Sequence, residues 1–397
     1  MRLDRHAVEA AVLGGAVLGG GGGGSMAEGR RNALLAVDMG EPELVDVDDL
    51  PPQAVLVTAS AVGAPAARTA KALPVHYVRA VELLVRETTV EGLITNECGG
   101  LAAVNGWLQA AVLGIPVVDA PCNGRAHPTG VMGSIGLHRV PGYVSRQAAV
   151  GGDPRAGTYV EVVVRGNLER AAALVRQASV QAGGMVAVAR NPVSASYARE
   201  HAAVGAIQQV LSVGRAMLQA RGRGPMAMVE AACGVLGGEV LGTGQVTDVQ
   251  LQTTGGFDVG RVVVQPSAGP ALELYFWNEY AVCERLAGRR RQHPGEQAAE
   301  RPGEPPRGQA TERDGEPPRG AMGEGPGERL ATFPDLLATI DLSSGLPLSS
   351  AEVAVGKEVA VVWVPRQRLI LGAGMRDPEL MRPLEQAVGK EIVKYVF

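Results

Sequence analysis

Residues 90–127, VEGLITNECGGLAAVNGWLQAAVLGIPVVDAPCNGRAH, contain two short apolar runs, 90–94 and 115–118, each followed at once by a polar cluster. The first cluster is Asn96, Glu97 and Cys98. The second is Asp119, Cys122, Asn123, Arg125 and His127. Helical period over 101–113 separates the runs, so the stretch reads as strand, helix, strand, the unit of an α/β sheet. Both clusters then lie at strand C-terminal ends, the edge of an open α/β sheet where loop amides and helix N-termini converge on ligands.

Outward from this stretch the alternation continues. Strand-like runs at 43–47 and 54–59 precede a helical segment at 76–87; a strand at 158–164, a helix at 167–182 begun by Asn167 and a strand at 185–189 follow. Long helical segments at 195–221 and 226–236 close this part. The reading is an α/β N-terminal domain, residues 1–237, with a largely parallel sheet. From residue 238 the pattern changes to short β runs at 246–252, 260–265, 271–283, 337–341, 352–363 and 368–371, a smaller, mostly-β C-terminal domain over 238–397. Within it, residues 288–329 are rich in Pro, Gly, Glu and Arg and carry GEPPRG twice, at 303–308 and 315–320. Such a composition buries too little apolar surface to fold, and is expected to be a disordered, solvated insertion in a hairpin.

At the N-terminus, Asp4 is placed to cap a helix over 5–18, and Ser25 to cap another to about residue 37. Six glycines, 19–24, join them. Main-chain amides there are unshielded, so Gly21, Gly22 and Gly23 are candidates to approach an anionic or carbonyl ligand; a plain hinge or a glycine expansion explains the run equally well.

With 397 residues, 46% hydrophobic and 20% charged, the chain reads as globular; a net charge of −4 without a basic, aromatic-interleaved stripe argues against nucleic acid. The apolar stretch 7–24 contains Glu9 and ends in glycine, which excludes a membrane span. Four cysteines, none in a CxxC pair, point to a reducing, cytoplasmic setting.

Among candidate chemistry carriers, Glu97 sits before Gly99 and Gly100 as a general base, or as a helix-capping acid. Asn105 and Gln109, spaced i, i+4, would share a helix face and orient a planar ligand. Asp119 ends a very apolar run, where a carboxylate is partnered or has a raised pKa; Arg125 is its expected partner and a clamp for a carbonyl or carboxylate. Cys122 with His127 suggests a nucleophile pair, against the commoner reading of a buried thiol. Cys98, Cys122, His127, His138 and Asp119 show no metal-ligand spacing; no cofactor is expected, with a divalent metal left open. His6, His76, His201 and His293 read as surface residues. In the second half, Thr254 lies in the TTGGF bend at 253–257, and Asn278 and Glu279 interrupt the apolar run of FWNEY at 276–280. Closure of the second domain over the first would make them the other wall of a cleft.

Taken together, LGGGGGG at 18–24, GAP at 63–65, ECGG at 97–100 with Asn105, VVDAPCNGRAHP at 117–128, TTGGFDVG at 253–260, WNEY at 277–280 and FPDLLATIDLSSGLPL at 333–348 resemble the S-methyl thiohydantoin desulfurase-like family. That family is built from an N-terminal and a C-terminal domain. Gly20, the segment 121–123, His127 and the insertion depart from its usual pattern. The resemblance implies a hydrolase acting on a five-membered cyclic amide or thioimidate. In that scheme Glu97 or Asp119 activates water, Arg125 and the glycine amides stabilise negative charge, and Asn105, Asn123, His127, Thr254, Asn278 and Glu279 bind substrate. It also implies a link to hydantoinase and oxoprolinase enzymes, so the alternative is a non-catalytic subunit or small-molecule-binding partner of such an enzyme. Association into a homo-oligomer is compatible with either.

Overall fold

The computed structural model describes residues 1–63, 72–286 and 327–397. Seven strands, β1 (Leu44–Val45), β2 (Val55–Gly63), β3 (Gly92–Thr95), β4 (Val117–Val118), β5 (Ser145–Gly151), β6 (Val160–Gly166) and β7 (Met185–Ser194), form one sheet in the order β1-β4-β3-β2-β7-β5-β6. It is mixed. The half built from the opening stretch, β1-β4-β3-β2, is parallel, whereas β7, β5 and β6 continue it antiparallel, so the expected largely parallel sheet holds only over its first four strands. The reason is local: Gly152 and Gly157, both with positive φ, permit a tight return from β5 to β6, which no crossover helix separates.

Helices follow the capping signals. Asp4 accepts the Ala7 amide at 2.8 Å to begin α1 (Arg5–Leu18), Ser25 faces the Glu28 amide at the start of α2 (Met26–Met39), and Asn167 caps α5 (Leu168–Gln181). Between these lie α3 (Pro74–Val85) and α4 (Trp107–Leu113). The single helix expected over 101–113 is broken. A 3-10 turn at Ala102–Val104 ends at Asn105, and Gly106 at φ +98° restarts the chain as α4. Gln109 there accepts its own helix's Gly106 amide at 3.1 Å, so Asn105 and Gln109 do not share a helix face. Gly205, at φ +85°, likewise divides the expected 195–221 helix into α6 (Ala195–His201) and α7 (Ala206–Ala220), followed by α8 (Pro225–Leu236).

A second sheet is antiparallel throughout, comprising β8 (Glu239–Thr254), β9 (Phe257–Pro266), β10 (Leu272–Trp277), β11 (Glu279–Arg285), β12 (Glu328–Thr332), β13 (Leu336–Asp341), β14 (Pro347–Leu348) and β15 (Glu358–Val364), in the order β12-β11-β10-β9-β8-β15-β13-β14. The one strand expected over 271–283 is a hairpin, because Asn278 at φ +60° reverses the chain between β10 and β11. No strand forms at 368–371; a 3-10 turn at Arg366–Arg368 precedes it. The expected insertion lies outside the described residues as far as 326, and its last two positions, Glu328 and Arg329, open β12. Helices α9 (Pro378–Val388), capped by Asp377, and α10 (Val393–Val396) complete the chain.

One hydrophobic core joins the two sheets: α1, α7 and α8 pack against Leu336, Ala338 and Ile340 of β13 and Ala360, Val362 and Val364 of β15. Small residues set the spacing. A Cβ on Gly214 of α7 would lie 1.9 Å from the Ala10 carbonyl of α1. All four cysteines are free and buried, and among the described residues no helix is long and apolar enough to cross a membrane.

Candidate functional site

Glycine brings the two halves of the site together. The 19–24 loop lies directly on the ECGG turn after β3. Gly23, at φ +73°, has its Cα where a Cβ on Gly99 would come within 2.3 Å, and the Gly23 carbonyl accepts the Leu101 and Ala102 amides at 3.1 and 3.0 Å. On the loop's other side the Gly20 carbonyl accepts the Tyr280 amide at 2.8 Å, and a Cβ on Gly22 would sit 2.0 Å from Glu279 Oε1. The run is therefore a packed joint between the end of β3 and the β10–β11 turn, which excludes the plain-hinge reading.

Beside this joint is a cavity of about 70 Å³ lined by Gly23, Gly24, Asn96, Glu97, Asn105, His127, Gly130, Arg176, Arg190, Asn278 and Glu279, among others. Glu97 Oε2 accepts the His127 amide at 3.1 Å and also contacts His127 Nδ1. Burial, and then the nearby Glu97, push the Glu279 carboxyl well above the usual range, and its Oε2 is buried without a partner. Asn96 Oδ1 is equally unpartnered. Asn278 holds the turn: its amide donates to the Asp258 carbonyl at 2.7 Å, its side-chain Oδ1 accepts the Asp258 amide at 2.9 Å, and Ser350 donates to its carbonyl at 2.7 Å.

Two arginines that the sequence reading passed over complete the lining. Arg176 of α5 lies over the Phe257 ring at 4.1 Å and donates to the carbonyls of Gly63, Gly256 and Pro128 at 3.2, 3.0 and 3.4 Å. Arg190 of β7 is 2% exposed, and its Nε has no partner. Burial lowers both guanidinium pKa values, that of Arg176 to about 10 with the charge of Arg190 contributing. The signal for Arg190 was present: it is a lone charge ending the apolar run 185–189, the same pattern that singled out Asp119.

Several expected site residues do not line the cavity. Asp119 does not meet Arg125; its two oxygens accept the Ile207 and Gln208 amides at 2.8 and 3.1 Å and cap α7 from a distance, and burial raises its pKa to about 6. Arg125 is fully buried over the Phe333 ring, donating to the main-chain carbonyls of Ala126, Tyr280 and Asp335. Asn123 bonds the Arg125 carbonyl at 2.8 Å and the Gly372 amide at 3.3 Å. Cys122 pairs with the Thr58 hydroxyl at 3.3 Å, away from His127, and burial pushes its thiol up to about 11, so no Cys–His nucleophile pair exists. Gly21 and Gly22 pack on Tyr280 and Glu279, and Thr254 is exposed at a hairpin tip. His76, expected at the surface, is buried and accepts the Leu73 amide at 3.1 Å; His293 lies outside the described residues. No three His, Cys, Asp or Glu side chains converge to hold a metal among the described residues.

Residues 6–153 match the family model described as "S-Me-THD-like, N-terminal domain", and residues 166–372 match "S-Me-THD-like, C-terminal domain". The second match begins inside the first sheet: α5 and β7, which carry Arg176 and Arg190, belong to it. The cavity is thus assembled from both matched stretches. A crystal structure of a protein from Chromobacterium violaceum shares the fold, with a TM-score of 0.65 and 20% identity over 98% of this chain and 96% of that one. No curated protein matches the chain.

Proposed function

Because the chain belongs to the S-Me-THD-like family, we propose that the Glu97–Glu279 cavity hydrolyses a five-membered cyclic thioimidate or amide of the S-methyl thiohydantoin type. The observation that carries this reading is the opposed setting of its two carboxyl groups. Glu97 is held by His127, whereas burial and the nearby Glu97 favour the acid form of Glu279. Two carboxyls whose environments differ in this way can divide base and acid roles.

In the proposed reaction, Glu97 takes a proton from water as the hydroxyl bonds to the ring carbon bearing the methylthio group, and Glu279 protonates the ring nitrogen. The tetrahedral carbon then expels the methylthio group. The C–S bond breaks, sulfur takes the proton held on Glu97, and the hydroxyl proton returns to Glu279, leaving a ring carbonyl and methanethiol. Asn96 and Asn105 orient the ring. The cavity is small beside the several hundred Å³ typical of ligand pockets, which suits a compact ring.

Methanethiol release from S-methyl thiohydantoin, read with a thiol reagent, tests the scheme. Glu97→Gln and Glu279→Gln should each lower turnover by about 10²- to 10⁴-fold without changing the melting temperature. Turnover should also fall as pH rises through the raised pKa of Glu279, because the acid form is then lost. Unchanged rates in both variants, or no release by the native protein, would overturn the proposal.

A further inference from the structure

Arg190 has no work to do inside the protein. It is a buried cation on β7 whose Nε lacks a partner, and among the described residues no carboxylate lies in ion-pair range of it. Its neighbour Arg176 spends its donors on neutral carbonyls. The cavity's own acids act on these charges only through space: the field of Glu97 reaches both guanidiniums and that of Glu279 reaches Arg176, but Glu97 is bonded to His127 and neither acid is hydrogen-bonded to either arginine. Leaving a guanidinium desolvated and unpaired is costly, and a site of this kind is completed by an anion from outside.

Position narrows the choice. Arg176 and Arg190, with Val62, Thr129 and Gly130, line both the 70 Å³ cavity and a second, adjoining one of about 270 Å³. The second is walled by apolar Ala172, Ala173 and Phe257 and by Gln177 and Glu169. Room for the anion is made by Gly130, where a Cβ would stand 2.7 Å from Arg190 Nη1. A planar pair of oxygens matches the guanidinium fork.

We propose that the ligand is a five-membered cyclic amide bearing a carboxylate on its substituent, with the ring in the inner cavity beside Glu97 and the carboxylate on Arg190 where the two cavities meet. This rests on the reading of the inner cavity as the ring site. The outer cavity would take any further length of the substituent.

Calorimetric titration of the intact protein with hydantoin-5-acetic acid and with its neutral primary amide tests the anchor. The acid should bind about 10- to 100-fold more tightly than the amide, the range expected for charge-assisted hydrogen bonds to a buried guanidinium. Arg190→Gln should abolish that preference. Gly130→Ala, which keeps the guanidinium but crowds Nη1, should reduce it, and provides the test if Arg190→Gln fails to fold. Equal affinities for acid and amide, or a preference that survives Arg190→Gln, would overturn the carboxylate anchor while leaving the ring site standing. Preference for the acid without methanethiol release from any S-methylated ring would support the anchor and sink the hydrolase reading. Absence of binding by both compounds would remove both.

Discussion

Two buried polar regions leave the C-terminal ends of neighbouring strands, and they are built for opposite ends. In the loop after β4, Asp119, Asn123 and Arg125 are saturated: their side chains end on helix amides and main-chain carbonyls, tying α7 and the second sheet to the first. Around the cavity at the end of β3, Asn96, Glu279 and Arg190 each keep an unsatisfied buried atom. Density of polar residues marks both regions in the sequence. What separates them is whether the fold already uses the groups, and unused buried polarity is the better sign of a ligand site.

The comparison can be broken most directly through its arginines. Arg125→Met should destabilise the protein by about 3 kcal/mol or more, since it strands several buried carbonyls, as read by chemical denaturation. Arg190→Met should leave stability unchanged or raise it by about 1–4 kcal/mol, because an unpaired buried cation is replaced by a well-fitting apolar chain. Equal losses in the two variants would erase the distinction between regions.

Asp119 sharpens the contrast through pH. Its folded-state pKa is about 6 against an ordinary 3.8, so from about pH 4 to about pH 6 the native state holds more protons than the unfolded one. Stability should therefore fall as pH rises across that window, by on the order of 2–3 kcal/mol at 1.36 kcal/mol per pKa unit. Asp119→Asn should flatten this slope and retain turnover. A slope that persists in the variant would place its origin elsewhere. The smallest effect belongs to Cys122: Cys122→Ala should cost about 1 kcal/mol and leave turnover intact, and the native thiol should resist iodoacetamide. Rapid labelling of Cys122 in the folded protein would contradict its neutral, buried setting.

Much of the scaffold was legible because its signals are local. Asp4, Ser25 and Asn167 announce the helices they cap, and the apolar runs at 90–94 and 115–118 overlap the strands they suggest, Gly92–Thr95 and Val117–Val118. Breaks were harder to place: Gly106, Gly205 and Asn278 interrupt segments whose apolar periodicity runs on through them. The C-terminal helices were missed although Asp377–Pro378 and Gly389 are a start and a stop signal. Of the site, Glu97, Asn105, His127, Asn278, Glu279 and Gly23 were singled out from sequence and do line the cavity. Arg176 and Arg190 were not: Arg176 looks like any other charge on the amphipathic α5, and although Arg190 ends an apolar run, only the fold brings either of them to Glu97. Asp119 and Arg125 misled for the complementary reason: nearness along the chain suggested a pair, while each found main-chain partners far along it.

Gly23 and Gly24 give part of the cavity lining as bare main chain, with Gly99 closed against Gly23 behind it. A wall of that kind presents almost the same shape whatever happens at neighbouring positions, and a new side chain on it would push the two segments apart. Changes in ligand preference within this architecture therefore fall to the side-chain part of the lining. Residues 127–130, 176 and 190 are where relatives can change what they accept without dismantling the joint that holds the site together.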